Sequence, residues 1–176
     1  MKIQKTSIDG ALLIEVDKYA DERGFFIESW NEKDFRLPHF VQDNHTRSKR
    51  GVLRGLHYQV PPKCQGKLIR CVSGAVYDVI VDLRQKSSTF SNWFGIKLDR
   101  PELQLWAPPG MAHGFYTLSD IADFQYKVTN YYDQSTEKVL CWNDSTIGID
   151  WPFDHLPVLS KKDFEQAKKF VECPKL

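Results

Sequence analysis

Residues 75–83, Ala75-Val76-Tyr77-Asp78-Val79-Ile80-Val81-Asp82-Leu83, repeat with a period of two. Ala75, Tyr77, Val79, Val81 and Leu83 share one face, and Asp78 and Asp82 lie on the other. Successive side chains of a strand point to opposite sides, so this pattern reads as a half-buried strand and not as a helix. Comparable short runs occur at 11–16, 24–30, 52–59, 67–72, 93–98, 104–107, 114–118 and 123–130. Turn-forming residues separate them, among them Ser73-Gly74, Ser87-Ser88, Asp99-Arg100-Pro101 and Pro108-Pro109-Gly110. Many short strands at near-regular spacing predict an all-β sandwich or barrel.

Helix signals are few. Residues 31–37 suit one short turn. Ser160 is placed to cap a C-terminal helix carrying Asp163, Phe164, Ala167 and Val171. There is no internal repeat, low-complexity tract or linker, so residues 1–176 are expected to form a single domain, with Pro152, Pro157 and Pro174 marking an irregular tail.

A formal net charge of +1 excludes a general attraction to nucleic acid or to an anionic membrane, so any anion site must be local. The N-terminus lacks an apolar signal core, and no run approaches the roughly 18 apolar residues of a membrane span. A cytoplasmic protein is expected, and with it reduced thiols at Cys64, Cys71, Cys141 and Cys173, which show no C-x-x-C spacing.

Several chemistries lack their motifs. Gln65-Gly66-Lys67-Leu68 has neither the upstream glycine nor the following Ser/Thr of a P-loop, and there is no G-x-G-x-x-G or G-x-S-x-G. No H-x-H, H-x-x-x-H or H-E-x-x-H spacing links His39, His45, His57, His113 and His155, which disfavours a metal site. What stands out is Leu53-Arg54-Gly55-Leu56-His57-Tyr58-Gln59-Val60-Pro61, with Lys67 ten residues beyond His57. A histidine is the side chain best matched to general-base work near neutrality, and a nearby cation could stabilise an enolate. A partly buried structural histidine is an equally open reading of His57, and spacing alone favours a solvated strand end for Lys67.

Tyr126 shares an apolar face with Phe124 and Val128, so it is either a core tyrosine or a cavity-lining proton donor. His113 lies between Gly110 and Gly114 and could also be structural. Asp163 is placed either to cap its own helix through the Ser160 backbone or to orient a histidine. Arg23, Arg54 and Lys67 are candidate anion contacts. Arg54 and His57 have opposite parity in a regular strand. They can serve one pocket only if the strand is bulged or bent, and Gly55 is the place for that.

Taken together the chain resembles the dTDP-4-dehydrorhamnose 3,5-epimerase family, a metal-free branch of the cupin-like jelly rolls. The resemblance is carried by 21–28 (Asp-Glu-Arg-Gly-Phe-Phe-Ile-Glu), 40–45, 51–59, 65–68, 81–84, 109–115 (Pro-Gly-Met-Ala-His-Gly-Phe), 126–127, 130–132, 142–144, 147–152 and 159–163 (Leu-Ser-Lys-Lys-Asp), in order from about residue 10 to 163. It implies a jelly-roll barrel with a few short helices, including one at the C-terminus. It implies His57 as base with Asp163 as its partner, Tyr126 as acid, Lys67 at the enolate oxygen and His113 lining the sugar pocket. Arg23, Glu28, Gln42, Asn44, Arg54 and Glu137 are implied as nucleotide and substrate contacts, some of them across a homodimer interface. The implied reaction is epimerisation at C3 and C5 of a dTDP-4-dehydro-6-deoxy sugar, with no cofactor and no metal. The rival readings are a relative that inverts only C3 or only C5, a metal-dependent cupin oxygenase, and a non-catalytic carbohydrate-binding jelly roll.

Overall fold

The alternating runs assemble into two antiparallel sheets packed face to face. The computed structural model describes all 176 residues. In chain order the strands are β1 (Lys2–Lys5), β2 (Leu12–Glu15), β3 (Lys18–Asp21), β4 (Gly24–Ile27), β5 (Gln42–Lys49), β6 (Leu53–Gln59), β7 (Lys67–Ser73), β8 (Val76–Asp82), β9 (Trp93–Leu98), β10 (Leu103–Ala107), β11 (Met111–Thr117), β12 (Ile121–Val128) and β13 (Glu137–Val139). Helices are limited to α1 (Glu32–Phe35), α2 (Lys161–Glu165) and a 3-10 turn at Phe170–Glu172. One sheet runs β1-β2-β10-β7-β12-β5 and the other β13-β6-β11-β8-β9, while β3 and β4 pair only with each other. This is a jelly roll.

Between the sheets lies one apolar cluster, including Ile69, Ile80, Leu105, Met111, Phe115 and Phe124. Phe115 and Phe124 come from opposite sheets and stack with ring centroids 4.1 Å apart. Two further clusters lie outside the sandwich. On the six-stranded sheet, Phe35 of α1 and the neighbouring Trp30 and Phe40 cover Ile14, Leu68 and Trp106. On the five-stranded sheet, Leu140, Ile147, Trp151, Phe170 and Cys173 cover Leu56, Tyr58, Val79 and Val81.

That second covering corrects the inside of β8. Tyr77, Val79, Val81 and Leu83 pack under the C-terminal segment, whereas Asp78 and Asp82 join Val76 and Ile80 on the inner face, both fully buried. The alternation is as read, but both faces are covered. Asp82 is satisfied by Arg84, Ser87 and Thr89.

The C-terminal helix is shorter than the pattern predicts. It ends at Gln166, because the chain then pairs beside residues 139–141: Lys168 N–H donates to Val139 O, and Cys141 N–H to Lys168 O. Phe164 and Val171 are exposed, and Phe170 and Cys173 make the buried contacts in their place. Strands β1, β3, β5 and β13 are additional to those predicted, and β11 begins at Met111, so His113 sits inside a strand. The four cysteines are free thiols. No helix is long and apolar enough to cross a membrane.

Strand β6 breaks its alternation at Gly55. Arg54 pairs with Phe115 and His57 with His113, so three steps on β6 match two on β11. This bulge turns Arg54 and His57 to the same inner side while Leu53 and Leu56 both enter the outer cluster. Gly55 has φ +123°, and a Cβ built on it would meet Gly114 Cα at 2.6 Å and His113 O at 2.8 Å. Gly55→Ala is therefore expected to destabilise the fold by roughly 2–4 kcal/mol, read as a lower denaturation midpoint with an unchanged m-value. A variant as stable as the parent would show that the close approach is not confining.

Candidate active site

The inner apolar cluster does not fill the sandwich. Beyond Phe115 and Phe124 it gives way to an open cavity of about 310 Å³ that is lined mainly by polar side chains. Strand β6 supplies Arg54, His57 and Gln59, β11 supplies His113, and β13 supplies Glu137, all from the five-stranded sheet. Lys67 on β7, Tyr126 on β12 and Thr46 on β5 enter from the six-stranded sheet. Ser160, Lys162 and Asp163 close the rim from α2 and its cap. His57 and Tyr126 thus reach one space from opposite walls.

His57 turns Nε2 toward Asp163 Oδ1, 2.5 Å away. Asp163 is buried, which raises its pKa, but the hydrogen bond and charge of His57 outweigh burial, and the Ser160 hydroxyl and Lys162 assist. The net shift is downward, so the carboxylate is ionised at neutrality and accepts the Nε2 proton. The Nδ1 lone pair of the neutral ring is then left free of Asp163. Asp163 does not reach the Ser160 backbone. Its second oxygen instead accepts from Ser160 Oγ at 2.8 Å, and its own N–H donates to the same Oγ at 3.0 Å. Capping and histidine contact coexist.

The floor holds a second ionic group. Lys67 is 6 % exposed, not a solvated strand end, and its ammonium donates to His57 O at 3.1 Å. Burial pulls its pKa down to about 8, against the opposing pull of Asp78 and Glu137. His113 Nε2 lies 2.9 Å from Asp78 Oδ2. Burial lowers the His113 pKa more than Asp78 raises it, so the ring is neutral at pH 7. Burial raises Asp78, while His113 and Lys67 pull the other way, and Asp78 Oδ1 has no hydrogen-bond partner in the chain. Tyr126 makes no side-chain hydrogen bond within the chain. Burial first, then the charge of Glu137, push its phenol upward, so it is protonated.

Towards the rim, Glu137 Oε2 accepts from Tyr132 OH at 2.7 Å and from the Lys162 ammonium. Burial raises Glu137, but Lys162 and Tyr132 outweigh it and hold the carboxyl below its usual range. Arg54 is hydrogen-bonded to Ser48 Oγ through Nε. Gln42 and Asn44 lie on the inner face of β5, joined by a 2.8 Å hydrogen bond, with Asn44 in register with Tyr126. Arg23 and Glu28 are not brought to this cavity. Arg23 sits at the β3–β4 turn, exposed and paired with Asp21, and Glu28 borders a separate recess with Tyr19 and Phe35. No three His, Cys, Asp or Glu side chains converge in a metal-holding arrangement.

Comparison with known proteins bears on this geometry directly. The family model described as dTDP-4-dehydrorhamnose 3,5-epimerase matches residues 5–171. The dTDP-4-dehydrorhamnose 3,5-epimerase of Salmonella typhimurium is 52% identical over 169 residues, covering 93% of this chain and 92% of its own. The chain belongs to the dTDP-4-dehydrorhamnose 3,5-epimerase family. The crystal structure of the Elizabethkingia anophelis family member is 44% identical and superposes with a TM-score of 0.90 over 97% of both chains. A 3,5-epimerase from Legionella pneumophila, solved in complex with dTDP-4-keto-L-rhamnose, is 45% identical with a TM-score of 0.90, covering 97% of this chain and 92% of its own.

Within this family member, sequence reasoning left several cavity residues without a role, Gln59, Gln65, Tyr132 and Lys162, gave Ser160 only its helix cap, and did not foresee Asp78 behind His113. Gln59 was within reach, because it lies two residues beyond His57 and so shares its face. Tyr132 sits in a loop and carries no periodic signal.

The floor predicts its own titration. With lysines labelled at Cε, Lys67 is expected to titrate near pH 8 by NMR, against roughly 10.4 for an ordinary lysine. Because Asp78 favours the ammonium, Asp78→Asn should move that titration lower still. A Lys67 that titrates with the surface lysines would contradict the burial account.

Proposed function

We propose that this chain, an isomerase of the dTDP-4-dehydrorhamnose 3,5-epimerase family, inverts C3 and C5 of dTDP-4-dehydro-6-deoxy-D-glucose to give dTDP-4-dehydro-L-rhamnose, the precursor step in dTDP-L-rhamnose biosynthesis. The observation that carries the residue roles is that His57 and Tyr126 enter one cavity from opposite sheets, with the Lys67 ammonium between them at the floor. An inversion needs a proton removed from one face of the ring and another delivered to the opposite face.

His57 Nδ1 takes the proton from the carbon beside the C4 ketone. The C–H electron pair moves into an enolate whose oxygen is neutralised by Lys67, in a space where a fixed charge acts more strongly than it would in water. Asp163 steadies the imidazolium that forms. Tyr126 then gives its phenolic proton to the other face. C3 and C5 both flank the ketone, so the same pair serves both once the imidazolium has lost its proton to solvent and the phenolate has regained one, and no electrons are gained or lost. His113 lines the sugar end, while Arg54, Gln42, Asn44 and Glu137 serve the substrate further out.

Arg23 and Glu28 act across a homodimer interface in this reading, since they lie away from their own chain's cavity. The β3–β4 arm that carries Arg23 is exposed and bears the uncovered rings of Tyr19, Phe25 and Phe26. The single jelly-roll domain of residues 1–176 carries the activity, and the cytoplasm is the compartment.

Incubation with dTDP-4-dehydro-6-deoxyglucose in deuterated water, followed by NMR, tests the roles. His57→Ala and Tyr126→Phe are expected to slow deuterium entry at C3 and C5 by about 100-fold or more. Normal exchange in both would sink the mechanism, and exchange kept only at C5 in Tyr126→Phe would reassign the acid. Sedimentation is expected to give a dimer that Phe26→Asp weakens; a monomeric parent would remove the interface.

A further inference from the structure

We propose that Ser160 is a positioning residue for the proton-abstracting pair, acting through the proton its hydroxyl donates to Asp163. The inference rests on the reading of His57 and Asp163 as that pair.

The geometry separates two duties of one hydroxyl. As N-cap of α2, Ser160 Oγ accepts the Asp163 N–H at 3.0 Å, which any short polar cap can do. Its single proton is directed to Asp163 Oδ2 at 2.8 Å, which a cap does not require. Asp163 Oδ1 is already committed to His57 Nε2. One carboxylate oxygen therefore faces the base and the other faces Ser160, so the plane of the carboxylate is fixed from both ends. That fixes the orientation of the His57 ring and hence where Nδ1 points.

The side chain so held is 3 % exposed, and α2 spans only five residues, too few to hold a side chain by helical stability alone. The titratable groups around Asp163 are His57 from β6 and Lys162 from α2, and Lys162 is itself taken up by Glu137 of β13. Ser160 is the uncharged donor of the set. Without its proton the pair holds an added proton more tightly, so protonation of the pair in acid begins at higher pH.

The test compares Ser160→Gly with Ser160→Thr. Glycine at an N-cap costs a helix little relative to serine, so it keeps α2 while removing the donor. Threonine keeps both duties. Ser160→Gly is expected to lower kcat for solvent deuterium exchange about tenfold with little change in KM, and to move the acid limb of kcat/KM up by roughly one pH unit. Ser160→Thr is expected to restore both. Thermal denaturation of each variant checks that α2 remains docked. An acid limb that stays in place in Ser160→Gly, or Ser160→Thr behaving no better than Ser160→Gly, overturns the proposal. Failure of the underlying reading looks different: His57→Ala would then exchange normally, whatever the Ser160 variants do.

Discussion

A lysine ammonium and an aspartate are held inside a sandwich whose natural filling is apolar, and the rest of the architecture answers to that. Removing an ion from water carries an effective penalty of several kcal/mol even after relaxation. Lys67 and Asp78 share one enclosure, with the His57 carbonyl and the His113 ring as their hydrogen-bond partners. Neither group is fully served, since Asp78 Oδ1 has no partner and burial raises the Asp78 pKa, while the Lys67 pKa is pulled down to about 8. The interior is therefore apolar around Phe115 and Phe124 and polar beyond them. The apolar burial that a cavity forgoes is recovered on the outside of both sheets, where α1 and the C-terminal segment cover faces that an ordinary two-layer sandwich would leave to solvent.

The same division explains what was legible in the chain. Strands that face the apolar interior or its coverings, such as β8, β10 and β12, announce themselves through hydrophobic alternation. Strand β5 does not. Gln42-Asp43-Asn44-His45-Thr46-Arg47-Ser48-Lys49 contains no apolar residue, yet it is the longest pairing partner of β12. Its inner face, Gln42, Asn44, Thr46 and Ser48, lies toward the polar cavity, so burial there selects hydrogen-bonding groups and erases the signal that periodicity detects. Asp78, inward on β8 and bonded to His113, is the same effect on a strand whose outer face happens to be the apolar one.

Of the site, His57, Lys67, Tyr126, His113, Arg54 and Glu137 all line one cavity, and the conflict of parity between Arg54 and His57 was visible in the chain itself. Its resolution was not, because a bulge is a property of two strands. One extra residue on β6 opposite Gly114 lets Leu53 and Leu56 both turn outward while Arg54 and His57 both turn in. Arg23 and Glu28 were legible as motif residues but not as neighbours of the rest, since they are carried by an arm and a following segment that leave the sandwich.

The C-terminal segment has two roles that cannot be separated. Its apolar residues shield the outer face of the five-stranded sheet, and α2 brings Asp163 to His57 over the rim. A five-residue helix has almost no stability of its own, so its position is set by what flanks it: the Val52–Val158 bridge before it, the Leu140–Lys168 bridge after it, and the Glu137–Lys162 and His57–Asp163 pairs along it. Two of those four ties are made to strand β6 or its immediate approach, and the other two run to β13 and the residue that follows it. The Asp163 carboxylate thus reaches His57 only when the outer layer has docked on β6. Completion of the hydrophobic covering and completion of the charge pair are one event.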